Sequence, residues 1–207
     1  MSFVKRIVDK VKYGEPIVVV SGLPRSGTSM CMKMLDAAGI EAVQDGIRTA
    51  DVDNPKGYFE HERVKELDKP GADKSWVKNH RGSAIKVISF LLEHLPNDNH
   101  YKVVFLRRNI EEVLASQAKM LDHRNEDNTI SDEEMTKIYE NHLLRTKSIL
   151  SARENFEVVY VHYTEILTDP RPEAQKIAEF LGVEDKAEAM AAAVDPKLWR
   201  NRAGAKK

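Results

Sequence analysis

The 207-residue chain contains a single cysteine, Cys31, so no disulfide can form within it. That scarcity fits a reducing compartment. Long apolar runs are missing too. Ile17 to Val20 is an uninterrupted apolar stretch, but it is far shorter than the ~20 residues that cross a bilayer. The opening Met1-Ser2-Phe3-Val4-Lys5-Arg6 lacks the apolar core of a signal peptide. No integral membrane segment is expected, and the expected location is cytoplasmic. Charge of one sign is also lacking. The formal net charge is −1, so no general positive field recruits nucleic acid or an anionic membrane. No group of His, Cys and carboxylate residues has the spacing of a metal site along the chain. Met30, Met32 and Met34 beside Cys31 read as core packing.

What is present is an ordinary globular mixture, 42% hydrophobic and 31% charged. The length suits one domain, residues 1–207, and is short for two. Internal repeats and low-complexity linkers are absent. Ile17-Val18-Val19-Val20, Lys102 to Leu106 and Val158 to Val161 read as buried strands, with Ala84 to Ile88 a weaker one. Helical patterns lie between them. Thr28 to Ala38 stops at Gly39, and Glu111 runs to about Leu121. A long helix toward Asn155 opens on the capping box of Ser131 and Glu134. Pro172 suits the first turn of a helix that ends near Leu181 before Gly182, and Ala187 to Val194 forms a last short helix. Alternation of strand and helix predicts an α/β fold, a three-layer sandwich around a mainly parallel central sheet. Ligands in such sheets bind beyond the carboxyl ends of the strands. The chemistry is therefore expected just after Val20, Ile88, Leu106 and Val161.

Ser21-Gly22-Leu23-Pro24-Arg25-Ser26-Gly27-Thr28-Ser29 follows the first strand directly and runs into a helix. Backbone N–H groups in such a turn cradle an anion, and the helix dipole adds positive potential. Gly22 and Gly27 allow close backbone approach. Arg25 can fork onto an anionic oxygen. The nucleoside-triphosphatase pattern requires lysine where this chain has Thr28. A kinase-like clamp on β- and γ-phosphates is therefore disfavoured.

Pro24-Arg25-Ser26-Gly27-Thr28-Ser29 fits P-[KR]-S-G-T-[ST], the 5′-phosphosulfate loop of sulfotransferases that use 3′-phosphoadenosine-5′-phosphosulfate (PAPS). The chain resembles that family again at Arg108-Asn109-Ile110-Glu111-Glu112-Val113-Leu114-Ala115-Ser116, which follows R-[ND]-P-x-[DE]-x-x-x-S with Ile110 in place of proline. Tyr160 to Pro170 and Ile177 to Gly182 resemble two further family segments, and the likeness covers roughly residues 16–183. It implies a P-loop-like fold and transfer of a sulfuryl group from PAPS to a hydroxyl or amine, with no metal required.

By the same resemblance, Arg25 meets the 5′-phosphate and the moving sulfuryl group. Pro24, Ser26, Gly27, Thr28 and Ser29 complete the cradle. Arg108 and Ser116 hold the 3′-phosphate, and Tyr163 lies beside the adenine. Asn54-Pro55-Lys56-Gly57-Tyr58-Phe59-Glu60-His61-Glu62 resembles a segment of bacterial members that carries the base. Glu60 and His61 are both open for that role, with Glu60 preferred. Lys86 is a candidate for sulfuryl contact, and Lys56 a more remote one. Arg200 and Arg202, in the basic tail, could close over the 3′-phosphate, although the tail lacks the family's R-K-G-x-x-G motif. Two other readings stay open. One is a nucleotide kinase-like phosphotransferase with a degenerate loop, and the other is a non-catalytic nucleotide-binding module. A small molecule, sugar or lipid head group is expected as acceptor. Specificity would be set by Ala42 to Arg81 and the polar loop after Leu121. The oligomeric state is not readable.

Overall fold

The computed structural model describes residues 3–47, 57–123, 126 and 130–195. Four strands, β1 (Ile17–Gly22), β2 (Ala84–Lys86), β3 (Tyr101–Arg107) and β4 (Phe156–His162), form one sheet in the order β2-β1-β3-β4, every pair parallel. All six residues of β1 are buried, as a central strand covered on both faces requires.

Side-chain alternation divides the core into two layers. Ile17, Val19, Tyr101, Val103 and Phe105 join Trp76, Val77, Leu92 and Leu150 on one face. Val18, Val20, Val104, Leu106 and Val161 join Met32, Met34, Leu35, Ile177 and Met190 on the other. Each such fully buried side chain contributes about 1.5–3 kcal/mol relative to exposure. The second layer is roofed by α2 (Thr28–Ala37), α6 (Pro170–Leu181) and α7 (Ala187–Ala192). The first is roofed by α4 (Asp132–Ala152) and by three 3-10 turns between Glu62 and His94. This is the expected three-layer α/β sandwich.

Local signals set most of the boundaries. Ser131 Oγ accepts from Glu134 N at 3.2 Å and opens α4. Asp169 Oδ1 accepts from Arg171 N at 3.2 Å and opens α6 on Pro170, and Gly182 closes it with a left-handed φ of 79°. Strand β2 is shorter than the expected Ala84 to Ile88. Val87 still donates to Val20 O at 3.0 Å, but Ile88 then turns outward and the chain enters the 3-10 turn Ser89–His94. Two helices lie where none was expected, α1 (Phe3–Tyr13) and the short α5 (Tyr163–Thr168). Helix α3 (Ile110–His123) extends slightly beyond its expected span. Among the described residues no helix is long and apolar enough to cross a membrane.

Candidate active site

The carboxyl ends of β1, β3 and β4 lie side by side, with Gly22 in register with Leu106 and Arg107 with His162. The loop after β1 turns back tightly, Ser26 N donating to Leu23 O at 3.1 Å. Glycine is required there. A Cβ on Gly22 would lie 2.5 Å from Ser26 Oγ and 2.7 Å from Leu106 O. A Cβ on Gly27 would lie 2.4 Å from Tyr163 Cδ2, and Gly27 caps α2 in the left-handed region at φ 100°. Arg25 and Phe59 are the non-glycine residues with positive φ among those described, at 66° and 49°. Both border this site, and such conformations cost about 1–3 kcal/mol each, strain that typically gathers at functional loops. Ser21 Oγ and Ser26 Oγ are buried without a hydrogen-bond partner in the structure, so the loop keeps hydroxyl groups in reserve.

Arg108 and Ser116 converge on this loop from β3 and α3. Arg25 Nε donates to Ser116 Oγ at 3.1 Å, and Arg108 donates to Arg25 O at 2.9 Å. The Arg108 guanidinium also lies 4.1 Å from the centre of the Tyr163 ring and donates to Glu112 Oε2 at 3.0 Å. Both side chains of that ion pair are about 95% buried. One turn of α3 places Glu112 under Arg108, so the carboxylate fixes the guanidinium while the Tyr163 face supports it. The two anchors that the sequence showed as separate motifs are thus in direct contact. Glu112, whose place in the motif was legible but whose role was not, orients the Arg108 guanidinium. A cleft of about 390 Å³ opens alongside, bordered by Leu23, Ser26, Arg107, Arg108, Ile110 and Leu143. That is within the usual size range for small-ligand sites.

Lys86, at the end of β2, points to the other side of the loop. Its ammonium donates to Glu60 Oε1 at 3.0 Å, to Ser29 Oγ at 3.4 Å and to Tyr58 O. The lysine side chain is 6% exposed and the glutamate 20%, so the pair is shielded from bulk water but open to a ligand on the Glu60 side. Glu60 and Lys86, proposed from unrelated stretches of sequence, are therefore neighbours at the cradle. His61 is placed differently. Its ring stacks on Trp76 with centroids 4.9 Å apart and meets the edge of His80 at 5.9 Å. Its Nδ1 is buried and without a partner. The adjacent side chains diverge after the left-handed bend at Phe59, His61 itself having extended backbone. Burial and the neighbouring His61 hold His80 below the usual histidine range.

A family model for the sulfotransferase domain matches residues 15–196. The chain belongs to the sulfotransferase family. Membership makes it an enzyme of sulfuryl transfer from PAPS to an acceptor that the match leaves unidentified. A search of curated protein sequences finds no match. Among solved structures, this sulfotransferase is similar to one from Mycobacterium avium, with a TM-score of 0.56 at 14% identity over 86% of this chain and 67% of that one. It is similar to the sulfotransferase domain of an olefin synthase from Synechococcus, with a TM-score of 0.53 at 15% identity over 92% and 84% of the two chains. A retinol dehydratase bound to androsterone and the inactive cofactor PAP aligns with a TM-score of 0.50 at 17% identity over 92% and 68%. At these identities the structural likeness establishes the fold alone.

In this sulfotransferase the described residues bring together Arg25, Ser26, Gly27, Ser29, Glu60, Lys86, Arg108, Ser116 and Tyr163. Pro24 and Thr28 flank Arg25 and Gly27 on the same loop. Arg200, Arg202 and Lys56 lie outside the described residues, as do parts of both segments expected to set specificity.

Proposed function

We propose that this sulfotransferase holds PAPS across the rim formed by β1, β3 and β4 and uses Glu60 as the base toward a small-molecule, sugar or lipid acceptor bearing a hydroxyl or amine. The observation that carries the reading is the contact of Arg25 with both Arg108 and Ser116 beside a cradle that only glycine can line. Partnerless buried hydroxyls at Ser21 and Ser26 fit an anion in that cradle. PAPS supplies a sulfuryl group whose S–O bond to the 5′-phosphate breaks as the acceptor bonds to sulfur.

The chain's own part follows from its charges. Arg108 and Ser116 hold the 3′-phosphate, with Tyr163 beside the adenine. Loop amides and Arg25 hold the 5′ end. Lys86 offers positive charge to the moving group from β2, doing from outside the loop what a loop lysine does in the kinase pattern. Glu60 takes the acceptor proton. With Thr28 at the kinase lysine position and Lys86 tied to Glu60, sulfuryl transfer without a metal is favoured over a kinase-like reaction.

The test is calorimetric titration with 3′-phosphoadenosine-5′-phosphate (PAP) in EDTA, with ATP and Mg²⁺ in parallel. Micromolar PAP binding is expected. It should weaken in Ser116→Ala and in Arg108→Lys, which keeps the charge opposite Glu112 and protects the fold. Metal-dependent ATP binding in place of PAP binding would overturn the reading.

A further inference from the structure

The opposite rim of the sheet carries a second group of chemistry-bearing side chains that sulfuryl transfer does not use. Asp9 of α1, His100 just before β3 and Glu157 of β4 each direct one donor atom to a common point, the three atoms lying within 4.8 Å of one another. Asp9 is 9% exposed and His100 6%, and the Glu157 side chain is 18% exposed. Asp9 Oδ2 is buried with no hydrogen-bond partner. His100 Nε2 comes within 2.8 Å of Glu157 Oε1, yet the ring nitrogen is not aligned on that oxygen and makes no hydrogen bond. Proximity without alignment is the geometry of two donors aimed at a third atom. A desolvated carboxylate oxygen with no donor is unfavourable unless a cation satisfies it.

The geometry points to a divalent metal site at the amino-terminal rim, held by Asp9, His100 and Glu157 and of the Zn²⁺ class. One imidazole nitrogen with two carboxylate oxygens suits borderline ions rather than Mg²⁺ or Ca²⁺, which prefer all-oxygen sets. Tetrahedral ligands about 2.0–2.1 Å from zinc lie roughly 3.3 Å apart. Metal binding would open the 2.8 Å His100–Glu157 pair slightly and draw the wider donors in to that spacing, and a water can take the fourth position. The ligands come from three distant stretches, which is why no metal spacing shows along the chain. The backbone presents them firmly, for Ile17 N donates to His100 O at 2.9 Å and Glu157 pairs with Lys102 in the sheet register. The site would act as a clip. Among the described side chains of α1, Ile7, Val8 and Val11 turn outward, 50%, 55% and 84% exposed, and contribute little apolar burial to hold it. Of the same described side chains, Asp9 and Tyr13 are buried, the latter beside His100 with ring centroids 6.2 Å apart.

The experiment is Zn²⁺ titration of the EDTA-stripped, dialysed full chain, read by calorimetry and by hydrogen exchange. Wild type is expected to bind one tight Zn²⁺ per chain and to gain amide protection in residues 3–13. Asp9→Asn keeps the shape of the side chain and leaves the sheet untouched. It should weaken binding at least tenfold and abolish that protection, while PAP affinity stays unchanged. His100→Ala should behave the same way. No stoichiometric binding in wild type, or binding that persists undiminished in Asp9→Asn, would overturn the proposal. The seven histidines of the chain make that control necessary.

Discussion

Gly27→Ala is the sharpest test of how the loop is built. Two costs add at this position. At φ 100° a Cβ meets the following carbonyl, a penalty of about 1–2 kcal/mol for an L-residue. The same Cβ would lie 2.4 Å from Tyr163 Cδ2. The ring cannot retreat, because Tyr163 is 5% exposed and has the Arg108 guanidinium 4.1 Å above its centre. Forcing such a packed contact apart costs about 1–3 kcal/mol. The total is ~2–5 kcal/mol, and each kcal/mol lowers the melting temperature of a domain this size by roughly 2–4 °C. Gly39→Ala is the internal control. Its φ is 81° and a Cβ there meets nothing within 4 Å, so only the backbone penalty of about 1–2 kcal/mol applies. Urea unfolding and PAP titration of both variants measure the difference. Gly27→Ala should lose more stability and bind PAP at least tenfold more weakly, while Gly39→Ala binds normally. Adding Tyr163→Ala to Gly27→Ala should recover part of the loss, a coupling typical of residues in contact. Equal destabilisation by the two glycine variants, with PAP binding intact in both, would refute the contact between loop and ring.

Three further outcomes follow. Glu60→Gln should cut turnover by about 10²–10⁴, the usual contribution of a positioned base, and leave PAP affinity within twofold. His61→Gln should lower stability through the lost stack on Trp76 without changing turnover per folded molecule, and a steady-state assay in which His61→Gln is the inactive variant would reverse the assignment. Burial pushes the Cys31 thiol up to about 12, so about 10⁻⁴ of it is thiolate at pH 8. Ellman's reagent should therefore label native protein at the rate of unfolding, and fast stoichiometric labelling would show the helix face to be open.

The phosphate loop, α2 and the Arg108–Ser116 anchor were legible because each is a local pattern whose spacing survives folding. The strand run Ile17 to Val20 is so uniformly apolar that only a central, doubly covered strand can hold it. Capping at Ser131 was legible for the same local reason. What the sequence hid was decided between distant segments. Glu60 and His61 are adjacent in the chain, and nothing local shows that one meets Lys86 and the other Trp76. Tyr58 and Glu60 meet the loop through Lys86 of β2 and through Ser29, which also donates to Tyr58 O. Helix α1 was not expected although Phe3, Val4, Ile7, Val8 and Val11 recur at helical spacing; of these, Ile7, Val8 and Val11 stay exposed instead of packing on the sheet. The Asp9, His100 and Glu157 group is invisible to spacing, since it exists only once α1 lies against the starts of β3 and β4.

The strand order has a consequence for the route to the folded state. Strand β1 emerges early, yet Val18 pairs with Ala84 and Ile17 with Tyr101, and β3 must wait in turn for Phe156. Pairings of such long range close slowly, because the intervening chain must be ordered before any contact compensates. The loop proposed to hold the donor is thus among the first segments synthesised and among the last to take its shape. Its strained Arg25 and crowded Gly27 are held by Tyr163 and Arg108, residues the ribosome delivers much later. Donor binding cannot nucleate this fold; it can only lock a sheet that has already closed.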